Sequence, residues 1–172
     1  MRNSKKIAMV IAGITVFGTM VCPVAAEEGA TRVVTDVFGR EVEIPEEVEN
    51  CVALGSAARL IVYAGGTEKI IGCTEMELRG DPGMPYAYAN KDFFANCQAM
   101  ASGGSGNADY AESIVALDPD VIFYQDSDTV AMEDLAAKTG LPVVGVYGDA
   151  FNSHYLTDSI NLIGDVLGTE EH

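Results

Sequence analysis

The stretch Asn107–Gln125, NADYAESIVALDPDVIFYQ, decides the fold class. A helix capped by Asn107 or Asp109 places Ile114 and Leu117 on one face and stops at Pro119, whose ring cannot continue it. Val121, Ile122 and Phe123 then form a short apolar run, the pattern of a strand buried on both faces in a parallel sheet. A helix passing through Asp118-Pro119-Asp120 into such a strand is half of a βαβ crossover, and the other segments take their places around it.

Working outward, Val33 to Pro45 (VVTDVFGREVEIP) predicts a hairpin, with Gly39 at a left-handed turn position and Val42 and Ile44 on one face. Its expected role is that of a lid or edge. Cys51 to Leu54 predicts a strand, Gly55-Ser56 a turn, and Ser56 a cap for a helix carrying Ala57, Leu60, Ile61 and Ala64 on one face until Gly65-Gly66. Strands are expected at Ile70–Thr74, Val121–Tyr124 and Val143–Tyr147, the last two bridged by a helix through Met132, Leu135 and Ala136 that stops at Gly140. Alternating strands and helices predict an α/β fold with a doubly wound, mainly parallel sheet behind an N-terminal β-hairpin.

The interval from Glu75 to Gly106 breaks this rhythm. It is read as a long loop holding Glu75, Glu77, Arg79, Tyr86, Tyr88 and the run Gly103-Gly104-Ser105-Gly106. A connection this long is functional or disordered, and it leaves the carboxyl end of a parallel strand, where α/β folds place ligands. The same strand-end rule nominates Gly55, Ser56, Gln125 and the Tyr147-Gly148-Asp149 segment.

The 172 residues suit one domain, and 48% apolar with 21% charged residues is ordinary for a chain that buries a core. Acidic residues outnumber basic ones 26 to 10, a balance that disfavours nucleic acid and anionic lipid as partners. Arg2, Lys5 and Lys6 precede an apolar stretch from Ile7 to Val21 that ends in Val24-Ala25-Ala26. Residues 1–26 are therefore expected to be an export signal cleaved between Ala26 and Glu27, the stretch being short of the roughly 20 apolar residues a membrane span needs. Thr19-Met20-Val21 lacks the usual lipoprotein pattern ahead of Cys22, which argues against a lipid anchor there. The mature chain would be periplasmic or extracellular.

Export would leave Cys51, Cys73 and Cys97 where disulfides can form. Cys51 opens one strand and Cys73 closes the next, so they would lie about 10 Å apart along the sheet, beyond disulfide reach. Small buried hydrophobes is the expectation for both. Cys97 is not assigned a place.

Catalytic equipment is sparse. Gly104-Ser105-Gly106 follows no strand and lacks the third glycine of a dinucleotide fingerprint. No phosphate-binding loop or serine elbow occurs, and the only histidines are His154 and His172. Glu75 with Glu77 and Asp126 with Asp128 read as solvated loop charges sooner than as acid/base pairs. The chain is not expected to be an enzyme, and no cofactor or metal site is assigned.

The segments TDVFGREVEIP, VALGSAARLIVYAGG, EKIIGC, PYAYANKDFF, ESIVALDPDVIFYQ and KTGLPVVGV resemble, in that order, the amino-terminal lobe of periplasmic substrate-binding proteins of ABC importers for iron–siderophore complexes, haem and cobalamin. The resemblance covers essentially all of the chain after Ala26 and rests on order and spacing. It implies two α/β lobes joined by a long helix, with ligand held between them. Residues 27–152 would form the first lobe, and 153–172, with Leu156, Ile160, Ile163 and Leu167 on one face, the start of the interlobe helix. Gly168 to His172 resembles its continuation, with Thr169 placed to cap a further turn. On this resemblance the chain would be a single lobe of a normally two-lobed protein: a fragment or truncated product, or one half of a site completed by a second lobe in trans.

The resemblance gives the candidate residues their roles. Tyr86 and Tyr88 either stack on or coordinate a ferric ligand, or anchor the loop by burying their rings. Arg59 and Arg79 either meet an anionic group on a chelate or serve as counter-charges in an acidic protein. Gly55, Ser56, Gln125 and Tyr147 would line the cleft. Glu112 matches the glutamate that docks on an arginine of the ABC permease in relatives, and a helix-start acid favouring the dipole explains it equally. The implied function is delivery of an iron chelate, haem or corrinoid to that permease. The alternative is a truncated structural or interaction domain that holds no ligand by itself.

Overall fold

The computed structural model describes residues 29–103, 110–148 and 153–169. The proposed export signal with Cys22, the Asn107 and Asp109 caps, the Gly104-Ser105-Gly106 run and Asp149 lie outside them. Among the described residues no helix is long and apolar enough to cross a membrane.

Strands β1 (Thr31–Thr35) and β2 (Glu41–Pro45) pair antiparallel, with Gly39 at φ 79° in the turn. The hairpin is more than a lid. The buried carboxylate of Asp36 pairs with Arg40 at 2.7 Å and accepts from the Gly145 N–H, while Arg40 donates to the Val143 carbonyl. Two residues of the turn thus fasten the hairpin to the sheet by charge-assisted bonds.

The main sheet has five parallel strands in the order β5-β4-β3-β6-β7, with β3 Cys51–Leu54, β4 Ile70–Thr74, β5 Gln98–Ala101, β6 Val121–Gln125 and β7 Val143–Val146. The chain winds outward from β3 to β5, then returns to the other side of β3 to lay down β6 and β7, as expected of a doubly wound sheet.

Alternation divides the core. Cys51, Ala53, Val121 and Phe123 face one layer, where helices α1 (Ala57–Tyr63) and α7 (Ser153–Leu167) bring Leu60, Ile61, Ile163 and Val166. Val52, Leu54, Ile122 and Tyr124 face the other, with Ile114 of α5 (Ala111–Leu117) and Met132 and Leu135 of α6 (Thr129–Thr139). Both faces of β3 and β6 are covered, which is why their sequences are nearly continuously apolar.

Several local expectations change. Residues 75–101 are not a loop. They fold as α2 (Glu75–Leu78), α3 (Pro85–Ala89), α4 (Lys91–Phe94) and the edge strand β5, whose sequence QAMA carries no β-branched residue to announce it. Ser56 precedes α1 without a side-chain cap bond. Helix α5 ends before Pro119, at Asp118 in the left-handed conformation with φ 53°. The Thr169 hydroxyl donates to the Ala64 carbonyl at 2.6 Å and, with the Arg32–Asp165 ion pair at 2.9 Å, secures the end of α7 to the lobe; the further turn it is expected to cap lies outside the described residues.

All three described cysteines are free thiols. Cys51 and Cys73 are fully buried, and burial pushes the Cys51 thiol far up. Cys97, half-buried at the end of α4, takes its place beside Cys73. The Cys97 thiol donates to the Ile70 carbonyl at 3.3 Å, and its interaction with Cys73 shifts Cys97 below the usual thiol range and, together with burial, raises Cys73.

Candidate functional site

The order of the sheet reverses between β3 and β6, so the connections leaving their carboxyl ends diverge and open a crevice. Gly55 and Ser56 follow β3; Gln125, Asp126 and Ser127 close β6 and leave it. Together they line a cavity of about 270 Å³. Met76 and Glu77 of α2, Met84 at the start of α3, and Tyr147 after β7 complete its wall.

The close approach of the two strand ends requires glycine at position 55. Its φ is 66°, and a Cβ there would stand 2.3 Å from the Gln125 carbonyl oxygen. Gln125 donates from Nε2 to the Gly148 carbonyl at 3.4 Å, while its buried Oε1 has no partner among the described residues. Tyr147 is fixed from behind, because the Ser159 hydroxyl of α7 accepts from its N–H and donates to its carbonyl, both at 2.8 Å.

Glu77 is not a solvated loop charge. It is 1% exposed, and its carboxylate accepts from the Thr74 hydroxyl and from the Tyr86 hydroxyl at 2.7 Å. Two donors in a protected site supply what water would otherwise give an anion. Tyr86 is correspondingly buried, and burial first, then the Glu77 hydrogen bond, pushes its phenol well up. Its ring and hydroxyl brace α3 against α2, so the ring-burial reading describes Tyr86, and its oxygen is engaged. Nothing in the sequence beyond a Thr-x-x-Glu spacing signals this network.

Arg59 is no free surface cation. Its Nη2 donates to the Gly148 carbonyl at 2.8 Å, and its buried Nε is unpartnered among the described residues. It is not among the residues that line the cavity. The structure leaves the other candidates apart from the cavity. Arg79 is 68% exposed and pairs with Glu75 at 3.7 Å, the counter-charge geometry. Tyr88 is 48% exposed, with the Lys91 ammonium 5.4 Å from its ring centroid. Glu112 is exposed in the first turn of α5. Asp128 caps α6 by accepting from Val130 and Ala131 N–H groups, while Asp126 turns into the crevice rim. Among the described residues no cluster of three or more His, Cys, Asp or Glu side chains is arranged to hold a metal ion.

Gly55, Ser56, Gln125 and Tyr147 are thus brought together, and Met76, Glu77, Met84, Asp126 and Ser127 join them. Sequence reasoning passed over the methionines because nothing in their spacing distinguishes them from core residues.

No family model and no curated protein sequence matches the chain. Solved structures do. A periplasmic solute-binding protein from Veillonella parvula superposes with a TM-score of 0.60 at 21% identity, over 83% of this chain and 42% of that one. The TroA-like periplasmic binding protein FepB of the same organism gives 0.60 at 26% identity, over 81% and 43%. The molybdate-binding protein MolA of Haemophilus influenzae gives 0.58 at 23% identity, over 81% and 47%. The chain therefore has the fold of one lobe of periplasmic solute-binding proteins, and it spans less than half the length of these structures.

Proposed function

We propose that this chain is the amino-terminal lobe of an extracytoplasmic solute-binding protein that captures an iron chelate, haem or corrinoid for an ABC importer. The observation carrying the reading is the cavity at the β3/β6 reversal, where an α/β lobe of this fold presents strand ends to a ligand. Similarity to MolA, a molybdate-binding protein, and to HmuT, a haem-binding protein, supports solute binding as the general role. Residues 27–152 constitute the lobe, helix α7 begins the connection to a second one, and residues 1–26 direct export.

One lobe supplies one wall, so binding by this chain alone is weak. Absorbance titration with haem, cobalamin and a ferric trihydroxamate tests this, with saturable binding expected at dissociation constants of about 100 μM or weaker. No saturable binding of any of the three would remove the ligand-binding reading in favour of an interaction domain. Tight stoichiometric binding would instead make the chain a complete site.

Glu112 is assigned to permease docking, on its exposure at the start of α5. Glu112→Gln should change stability by at most about 1 kcal/mol, yet slow association of a completed two-lobe protein with its permease at low salt, as removal of a rim charge does. Equal association of wild type and variant would leave Glu112 a helix-start carboxylate only.

A further inference from the structure

The crevice wall is electron-rich. Glu77 and Asp126 are the charged side chains that line it, and among its described lining residues none is cationic. The basic residues nearest in sequence are committed elsewhere: Arg59 to the Gly148 carbonyl, Arg79 to Glu75. The remaining lining adds acceptors. Gln125 turns its Nε2 to the Gly148 carbonyl, and the opposite amide orientation would set two carbonyl oxygens against each other, so the amide does not offer its N–H groups to an anion. Met76 and Met84 contribute polarisable thioethers, which accept weakly and attract cations and apolar groups alike.

From this wall we infer the charge class of the ligand: the site takes a chelate whose contacting face is cationic or hydrogen-bond-donating, and rejects oxyanions and polyanionic chelates. The inference rests on the solute-binding reading and narrows it. An anion entering here would meet the Asp126 carboxylate at the rim and approach the buried Glu77 carboxylate, which Thr74 and Tyr86 hold, while the Arg59 guanidinium, bonded to the Gly148 carbonyl, is not among the lining residues. A ligand bearing an ammonium or N–H groups would instead lie beside the Asp126 carboxylate and the Met76 and Met84 thioethers. The fold is compatible with either outcome, since MolA, of similar fold, binds molybdate; the difference lies in the side chains of the wall.

The experiment uses the full chain with methyl-labelled methionine, following the Met76 and Met84 signals during titration at about 150 mM salt, where the general field of an acidic protein is screened beyond roughly 8 Å. The probes are a gallium(III) trihydroxamate bearing a free ammonium, a gallium(III) triscatecholate and molybdate; gallium keeps the charge of the ferric chelates and is diamagnetic. The cationic chelate is expected to shift both methyls and to bind at least about tenfold tighter than the trianionic one, with molybdate causing no shift. Asp126→Asn should shrink that ratio, and Ser127→Lys, which adds a cation at the exposed rim, should reverse it. Equal or tighter binding of the catecholate or molybdate would overturn the charge assignment while leaving the crevice a ligand site. Absence of any shift with all three probes would overturn the solute-binding reading and this inference with it.

Discussion

The two sides of β3 are built by different means. On the β6/β7 side the connections are single helices and short turns, and the strands are apolar on both faces. On the β4/β5 side three short helices fill the span between adjacent strands, and they are held by Glu77, Thr74, Tyr86 and the Cys73–Cys97 contact. Water expulsion stabilises both sides, since Ala87 and Phe94 lie in the same core, but on the first it acts through periodic patterns and on the second it is joined by a few directional bonds that must all be satisfied. The crevice lies where the two constructions meet, with the turn after β6 on one side and the polar network of α2 on the other.

The strongest way to break that comparison is at Phe123, fully buried in β6 between the cover helices and its strand neighbours. Phe123→Ala should cost about 3–5 kcal/mol in denaturant unfolding. A loss below about 1 kcal/mol would mean that the regular side is not stabilised by its core.

On the irregular side, Tyr86→Phe keeps the ring and removes the hydroxyl, leaving Glu77 with one donor fewer in a buried site. A loss of about 1–3 kcal/mol is expected, accompanied by faster amide exchange in residues 75–94 than in β6. Uniform exchange would deny the division into two constructions.

The smallest effect concerns the thiols. Cys97 is the one described thiol that is not fully buried, and its interaction with Cys73 shifts it below the usual thiol range, whereas that interaction and burial keep Cys73 protonated. Iodoacetamide should therefore modify Cys97 first in the native chain, with a rate that falls off at a lower pH than that of an ordinary thiol. Cys51 and Cys73 should react only on unfolding. Equal labelling of all three, read by peptide mass, would contradict the asymmetry.

What could be read in advance follows the same division. The runs VALGSAARLIV, SIVALDPDVIFYQ and LPVVGV specify strand, turn and helix by local patterning, because an element buried on both sides or along one stripe must show that burial in its own residues. Gly55, Ser56, Gln125 and Tyr147 could be nominated because a parallel sheet presents its strand ends regardless of side-chain identity.

The segment from Glu75 to Ala101 could not be read this way. Its helices are at most five residues long, too short to show a period, and β5 is recognisable only by its pairing with β4. Tertiary structure alone decided that Glu77 is buried, that Arg59 is turned to Gly148, that Cys97 meets Cys73 and that two methionines face the crevice. Each depends on contacts between residues distant in sequence or on the direction of one side chain. The sequence by itself determined the parallel layer and where its strand ends converge, since periodic burial is a local property. The charge and the occupants of the crevice were decided by the folded chain, because hydrogen bonds and desolvation act only between groups that folding has brought together.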